Sequence, residues 1–232
     1  MRTDYTDFAA VWMRAETIPG WLTLTQARAL WDAASNADPG SLIVEIGSHQ
    51  GRSTVVLAAA ARAAGATVVA IDPFVDGAMF GGAATRDKFE ANLEAAGLRS
   101  VVRLIAERST AIRPGWDEPI GVLYIDGKHD YWTVSDDLQW AVHVADGGRV
   151  LVHDAYSSVG VTLALLRHVL PGRSLRYLGR TASLARFEVA RPALADRSRM
   201  LRELPWWLCN VAVKIVLRIG RLFGHRTTPD PY

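Results

Sequence analysis

The sequence predicts an α/β fold built around a mostly parallel β-sheet. Short β-branched or apolar runs alternate with Ala-rich helical stretches, a pattern typical of βαβ units. Two later runs, at 175–179 and 183–189, are joined by only three residues, and so short a link requires an antiparallel hairpin. With 232 residues, of which 50% are hydrophobic, the chain can bury the core of one such domain.

The elements follow in order along the chain. Thr23 and Gln26 form a capping-box pattern that predicts a helix through Ala34, inside a helical cover at 1–40. We expect this cover to lie over the sheet or its ligand, and the sheet domain to occupy 41–190. The predicted parallel strands are 42–46, 67–72, 101–105, 121–126 and 148–153. The predicted helices are 52–64, 85–97, 130–145 and 158–169.

A glycine turn after the first strand is the strongest sign of a ligand. Gly47 and Gly51 allow close approach of the backbone to a ligand, and Ser53 and Thr54 fall where the next helix has unpaired N–H groups. The spacing is not G-x-G-x-x-G and no P-loop Lys follows, so a phosphate ligand is disfavoured. The next strand ends in Asp72, whose carboxylate is placed to accept hydrogen bonds from two ribose hydroxyls.

The pattern Glu-x-Gly-x-x-x-Gly-x-Ser, with an acidic residue after the second strand, resembles the first motifs of class I S-adenosylmethionine-dependent methyltransferases. The resemblance implies a Rossmann-like, seven-stranded, mostly parallel sheet with a C-terminal antiparallel hairpin. An ordinary strand-to-helix turn is the alternative. By position in this sequence, the implied cofactor-binding residues are Glu45, Gly47, Ser48, Gly51, Ser53, Asp72, Glu107 and Asp126.

Two further carboxylates end predicted strands. Asp126 follows the fourth strand and Asp154 the fifth, so both are expected in the crevice outside the carboxyl ends of the sheet. Converging carboxylates raise each other's pKa unless a cation compensates, and their oxygens suit Mg²⁺ or Mn²⁺. The alternative is that each aspartate caps the helix that follows it.

The phrase from Ile125 to Tyr131, followed by 136–138, Gly147-Gly148 and His153-Asp154, resembles metal-dependent sugar O-methyltransferases. This resemblance implies that Asp126 and Asp154 bind the metal and that His129 is the general base. The sequence departs from the group at His153, which is a further ligand or orients Asp154. The Arg- and Ala-rich composition and the Trp-rich tail resemble actinobacterial enzymes that methylate mannose oligosaccharides at the 1-hydroxyl. A catechol-type methyltransferase and a non-catalytic scaffold are the competing hypotheses.

Two segments flank this core. The loop from Pro73 to Gly82 combines glycines with Phe and Met and is interpreted as a lid or as a plain surface loop. The arm at 191–232 is basic, and its helical stretch from Pro205 is amphipathic. It is too interrupted by charge to span a membrane. Interfacial membrane contact is one interpretation; packing on the domain or on a second subunit, as in a homodimer, is preferred.

Composition limits the partners and the compartment. A formal charge of +2 without a basic, aromatic stripe argues against nucleic acid and for small-molecule chemistry, and the resemblance implies a carbohydrate acceptor. Cys209 is the single cysteine, so no internal disulfide is expected. The stretch from Met1 to Ala15 has no apolar signal-peptide region. The sequence therefore predicts a cytoplasmic protein.

Overall fold

The computed structural model describes residues 7–75 and 82–222, with the side chains of 220–222 left out of the description. The strands are β1 (Leu42–Ile46), β2 (Thr67–Ile71), β3 (Val102–Ile105), β4 (Ile120–Ile125), β5 (Val144–Val152), β6 (Leu175–Thr181) and β7 (Leu184–Val189). The helices are α1 (Phe8–Ala15), α2 (Leu24–Ser35), α3 (Arg52–Ala64), α4 (Gly82–Ala96), α5 (Ser109–Ile112), α6 (Tyr131–Asp137), α7 (Val159–Ala164), α8 (Leu194–Leu201) and α9 (Leu204–Leu222).

The strands form one seven-stranded sheet in the order β3-β2-β1-β4-β5-β7-β6. Strands β1 to β5 are mutually parallel, and β7 lies antiparallel between β5 and β6. The predicted Rossmann-like sheet with its closing hairpin is thus confirmed. The first three strands extend the sheet to one side of β1, and the chain then crosses over to form β4 on the other side. Ligands of open α/β sheets bind at such a switch point, here between β1 and β4.

Apolar layers cover both faces of the sheet. One layer contains helices α1, α2, α3 and α4 and alternate strand residues such as Ile43 and Tyr124. The other contains α6 and α7 and the strand residues between these, such as Val44 and Leu123. A parallel sheet buried on both faces explains why its strands are apolar throughout rather than alternating. The capping box at Thr23 and Gln26 is present and starts α2, as predicted.

Several boundaries differ from the prediction. The predicted helix at 130–145 ends at Asp137 and continues as a 3₁₀ stretch to His143, because Val144 already pairs with Ile120 in the sheet. The predicted helix at 158–169 is α7 followed by a π turn at 165–169. The hairpin link is shorter than predicted, since only Ala182 and Ser183 separate β6 from β7. Ala182 takes a left-handed backbone, with φ +50°, in that tight turn.

The flanking segments are helical where they are described. Helices α1 and α2 pack on α3 in the first apolar layer. The arm after β7 forms α8 and α9, and Trp206 and Trp207 of α9 pack against the second layer. Among residues 7–75 and 82–222, no helix is both long and apolar enough to cross a membrane. Residues 76–81 of the predicted lid lie outside the described residues.

Candidate active site

The candidate site lies at the carboxyl edge of the parallel strands, around the switch point. Here the first residue after a strand donates its backbone N–H to the last residue of the neighbouring strand. This continues the parallel ladder by one bond and brings four predicted site residues to adjacent positions. The bonds are Gly47 to Ile71 (2.9 Å), Asp126 to Ile46 (2.8 Å), His153 to Ile125 (2.9 Å) and Asp72 to Ile105 (3.2 Å).

A side chain at position 47 would clash with the backbone of the neighbouring strand end. Its φ is +87°, and a Cβ added there would lie 2.3 Å from the Asp126 carbonyl oxygen and 2.8 Å from the Gly127 Cα. The nearest obstruction within the protein is therefore the backbone leaving β4, and the predicted close approach of a ligand to Gly47 stays a prediction. Gly51, at φ +89°, begins α3, and its Cβ would lie 3.1 Å from the Phe89 ring. Both glycines let the turn pack closely on the protein itself.

Asp72 holds this turn in place. One carboxylate oxygen accepts the backbone N–H groups of Ser48 and His49, each at 2.9 Å. The other accepts the N–H of Phe74 at 2.8 Å. A carboxylate has about four acceptor positions, so the predicted contact to ribose hydroxyls is still available to it. The sequence identified the residue but not its second task, which is to order the glycine turn.

Glu45 and Ser48 are buried beside the turn. Glu45 is fully buried, and its Oε2 accepts a 2.5 Å hydrogen bond from the Thr54 hydroxyl on α3. Burial raises the Glu45 pKa to about 7, against the opposing effect of hydroxyls that include Ser53 and Thr54. Glu45 Oε1 and the Ser48 hydroxyl are buried without a hydrogen-bond partner of good geometry in the protein, although Ser48 lies near enough to lower the Glu45 pKa. Such orphaned polar atoms beside a glycine turn are what a polar ligand would satisfy.

Three non-glycine residues with left-handed backbone lie just beyond strands β1, β2 and β5. They are His49 (φ +47°), Phe74 (φ +43°) and Asp154 (φ +53°). This conformation costs about 1–2 kcal/mol per residue and clusters at functional sites. Asp72 accepts the N–H groups of the first two, and the Asp154 Oδ1 accepts the Ser157 hydroxyl at 2.9 Å. The strain and its supports therefore surround one crevice.

The N-terminal cover is fastened to this crevice by Arg52, the first residue of α3. Its guanidinium donates to the carbonyl oxygens of Glu16, Ile18, Gly20 and Leu22 at 2.6–3.1 Å. The held segment contains Trp21, whose exposed indole lies 5.4 Å from the His49 ring, centroid to centroid. Sequence reasoning missed Arg52, because its four acceptors are distant in sequence. The result is an aromatic rim beside the glycine turn.

Asp126, His129, His153 and Asp154 form the chemical centre. His129 Nε2 lies 3.5 Å from Asp126 Oδ1, and His129 Nδ1 lies 3.0 Å from Asp154 Oδ2. His153 Nδ1 lies 3.2 Å from the same Asp126 oxygen and 3.6 Å from the same Asp154 oxygen. The two imidazoles thus bridge the two carboxylates. All four residues were singled out by the sequence, and the fold brings them together.

The electrostatics of the cluster follow from this arrangement. Burial lowers the pKa of each histidine, but Asp126 and Asp154 outweigh it and raise the pKa of His129 to about 9 and of His153 to about 10. Burial raises the carboxyl pKa values in turn, and the two histidines outweigh that effect and hold the pKa of both aspartates below the ordinary value. The carboxylates therefore carry negative charge that demands a compensating cation, whether imidazolium or metal.

The residues fit a divalent metal. Neither ring nitrogen of the buried His153 has a hydrogen-bond partner of good geometry in the protein. Ligand atoms of Asp126, His129 and His153 lie within 4.8 Å of one another. Carboxylate oxygens with imidazole nitrogens are a donor set that Mn²⁺ accepts, and the carboxylates alone suit Mg²⁺. The grouping makes His129 a fourth candidate ligand alongside the predicted Asp126, His153 and Asp154.

The alternative that the two aspartates cap helices is wrong. Asp130 caps α6, accepting the N–H groups of Trp132 and Thr133 at 3.1 Å. The cap position of α7 is Ser158. Asp126 and Asp154 instead direct their carboxylates at the histidines. Their placement is thus not explained by helix capping.

Three supporting residues escaped the sequence analysis. The buried Tyr124 hydroxyl donates to Asp126 Oδ2 at 2.8 Å, which fixes that carboxylate. Asp137 accepts the Ser109 hydroxyl at 2.6 Å, and burial raises its pKa to about 6. Gly160 allows α7 to approach, since a Cβ there would lie 2.4 Å from the His129 carbonyl oxygen. The partners of Asp137 and Gly160 are distant in sequence, and Tyr124, two residues before Asp126, was not given a role there. Glu107, predicted near an adenine, is exposed two residues beyond β3.

Comparison with known proteins agrees with this geometry. Residues 44–155 match the family described as a methyltransferase domain. The chain has the fold of S-adenosylmethionine-dependent O-methyltransferases. Cofactor-bound Rv0187 from MTB superposes with a TM-score of 0.61 at 18% identity, covering 79% of this chain and 89% of that one.

Two further structures share the fold. One is the O-methyltransferase TomG from Streptomyces achromogenes, involved in tomaymycin synthesis and solved with S-adenosylmethionine (TM-score 0.57, 20% identity, 82% and 91% covered). The other is CalS11, a TDP-rhamnose 3'-O-methyltransferase of calicheamicin biosynthesis (TM-score 0.51, 19% identity, 72% and 81% covered). At these identities the likeness shows the fold. The family match covers 44–155, which holds the glycine turn and the cluster around Asp126.

Proposed function

We propose that this protein transfers the methyl group of S-adenosylmethionine to a hydroxyl oxygen of a carbohydrate, with the help of Mg²⁺ or Mn²⁺. The observation that carries the proposal is the cluster of Asp126, His129, His153 and Asp154 beside the glycine turn. A methyltransferase fold without metal or base chemistry has no need of two carboxylates bridged by two imidazoles.

The turn between Ile46 and Gly51 is the proposed cofactor site. Buried and unpartnered oxygens of Glu45 and Ser48 lie there, and the Asp72 carboxylate has acceptor capacity left for ribose hydroxyls. Gly51 and Ser53 stand at the start of α3, where helix N–H groups are unpaired. Glu107 lies two residues beyond β3, and we propose that it marks the adenine end of the cofactor site.

Asp126, Asp154 and His153 are the proposed metal ligands. When bound, a divalent cation supplies positive charge that stabilises an acceptor alkoxide and leaves nearby imidazoles neutral. The Tyr124 hydroxyl and the Ser157 hydroxyl hold the two carboxylates by hydrogen bonds of 2.8 and 2.9 Å. These residues therefore present a preorganised set of oxygens to the cation.

His129 is the proposed general base. Its side chain is the most exposed of the cluster, at 43% against 4% for His153, so an acceptor can reach it. As a neutral imidazole it takes the proton of the acceptor hydroxyl while that oxygen attacks the methyl group of the sulfonium. The nearby Asp154 carboxylate then stabilises the resulting imidazolium.

A carbohydrate acceptor is supported by two observations. The exposed indole of Trp21 beside His49 offers a flat apolar surface on which a sugar ring can stack. A structure with the same fold, CalS11, is a sugar O-methyltransferase by its description. We propose the 1-hydroxyl of a mannose oligosaccharide as the first acceptor to test.

The test measures radiolabelled methyl transfer to mannosides, rhamnosides and catechols, with purified protein and Mg²⁺ or Mn²⁺. We expect transfer to a mannoside that a chelator stops and added metal restores. Asp126→Asn should abolish turnover. The control Asp146→Asn, exposed on β5 away from the cluster, should retain it. Full activity in excess chelator would remove the metal from the proposal, and transfer to catechols alone would replace the carbohydrate acceptor.

A further inference from the structure

The last described helix, α9, contacts the domain through a mixed side, on which Trp206 and Trp207 pack against the second apolar layer and two polar side chains donate hydrogen bonds. The Asn210 amide donates to the Tyr156 carbonyl oxygen at 3.4 Å, and the Lys214 ammonium donates to that of Ser157 at 3.1 Å. The Arg180 guanidinium lies over the Trp206 ring, with its central carbon 3.9 Å from the ring centroid. An amphipathic surface helix normally turns its polar side to solvent, whereas α9 directs Asn210 and Lys214 at the domain and leaves an apolar side outward.

The outward side of α9 is apolar and exposed. On a helix wheel with 100° per residue, Ile215 and Val213 mark the two edges of an arc of about 160°. Within residues 205–219, this arc holds no polar side chain. Val216 is 67% exposed and Leu208 59%. A contiguous apolar patch of this kind marks an interaction surface rather than ordinary exposure. Its large exposed members are Leu208, Val213, Ile215, Val216 and Ile219.

Charge identifies the kind of partner. Between 204 and 222 the chain has Lys214, Arg218 and Arg221 and no Asp or Glu. The exposed Arg218 lies about 60° round the helix wheel from Ile215 at the edge of the apolar arc, and its long side chain can reach a surface that the arc contacts. A second copy would place the same cations against each other across a two-fold interface, which disfavours it. A lipid surface with anionic headgroups complements both the apolar arc and the cations.

We propose that α9 docks the protein on an anionic lipid bilayer, with the helix lying in the plane of the interface. The apolar arc would enter the boundary between headgroups and acyl chains, and Arg218 would pair with lipid phosphates. Tyr156 and Ser157, which α9 contacts, belong to the loop that follows Asp154. The helix that carries the docking surface therefore packs, by its other side, on a loop of the candidate active site, although the proposal does not depend on the reaction assigned to that site.

The experiment is flotation of the purified full chain with phosphatidylcholine vesicles, with and without phosphatidylglycerol. We expect binding to the anionic vesicles. Val216→Asp should weaken it at least about tenfold, since a buried apolar side chain is replaced by a charge. Met13→Asp is the matched control, because Met13 on α1 is 65% exposed, and it should bind as wild type does. Arg218→Gln should weaken binding about fivefold on anionic vesicles only.

The outcomes separate the possible partners. Thermal melting should show that Val216→Asp folds like Met13→Asp, and Ile219→Asp should repeat its effect if the first variant melts early. Absence of wild-type binding to anionic vesicles would overturn the proposal, as would equal binding by Val216→Asp and wild type. Sedimentation equilibrium that finds a dimer dispersed by Val216→Asp, without vesicle binding, would assign the apolar arc to a second copy instead.

Discussion

Replacing Gly47 by alanine tests how the glycine turn and β4 are held together. The new Cβ would stand 2.3 Å from the Asp126 carbonyl oxygen, and both groups belong to backbone that the sheet ladder fixes. The left-handed backbone at Gly47 costs an alanine about 1–2 kcal/mol. Relieving the clash with a rigid neighbour adds about 1–3 kcal/mol, the usual cost of overpacking. We therefore expect a loss of about 2–5 kcal/mol in the free energy of unfolding.

Gly147→Ala is the matched control for this variant. Gly147 has φ +79°, close to the +87° of Gly47, but nothing lies within 4 Å of its added Cβ. Gly147→Ala therefore has the free-energy cost of an alanine in the left-handed conformation, but no steric clash. At about 2–4 °C per kcal/mol for a domain of this size, Gly47→Ala should melt about 2–12 °C below Gly147→Ala in calorimetry. Because Asp126 must move, Gly47→Ala should also lose S-adenosylmethionine binding. Equal melting temperatures would refute the argument that β4 backbone demands the glycine.

Three further expectations concern single side chains. His129→Ala should lower kcat by about 10²–10⁴-fold with metal affinity unchanged, whereas a loss confined to metal affinity would make His129 a ligand. Glu45, with its pKa raised to about 7 by burial, stabilises the fold below its unfolded pKa and loses that contribution as pH rises through 7. The wild-type free energy of unfolding should therefore fall by about 3 kcal/mol between pH 4.5 and 8, and Glu45→Gln should show no such fall. A fall that persists in the variant would point to other groups. Trp21→Ala should raise the acceptor KM without changing the melting temperature, and an unchanged KM would exclude sugar stacking on its indole.

Local sequence patterns predicted the parts of the site that depend on chain-local physics. Strand ends are visible because apolar runs stop, so the order of residues along the chain was enough to assign Asp72, Asp126 and Asp154 to one edge of the sheet. The capping box at Thr23 and Gln26 is equally local, and the structure confirms it. The resemblance to known methyltransferases supplied the roles of these residues, which remain predictions.

The residues that support the site could not be predicted in this way. Tyr124 reads as an ordinary strand residue; its position two before Asp126 puts both on one face of the strand, but the pattern does not show that its hydroxyl donates to the carboxylate. Arg52 reads as the start of a helix, and its four acceptors lie about thirty residues or more before it. The helix expected at 130–145 stops early because Val144 pairs with Ile120, and helix propensity does not report strand pairing.

The sequence by itself determined the α/β sheet, its closing hairpin and the carboxylates at its edge, because periodicity and strand length are properties of short segments. Tertiary structure alone decided that Gly47 is required by β4 and that two histidines bridge Asp126 and Asp154. It also decided that α9 directs Asn210 and Lys214 at the domain and leaves an apolar side exposed. A helix wheel gives the two sides of a helix, but which side is buried depends on the surface it meets, here the carbonyl groups of Tyr156 and Ser157.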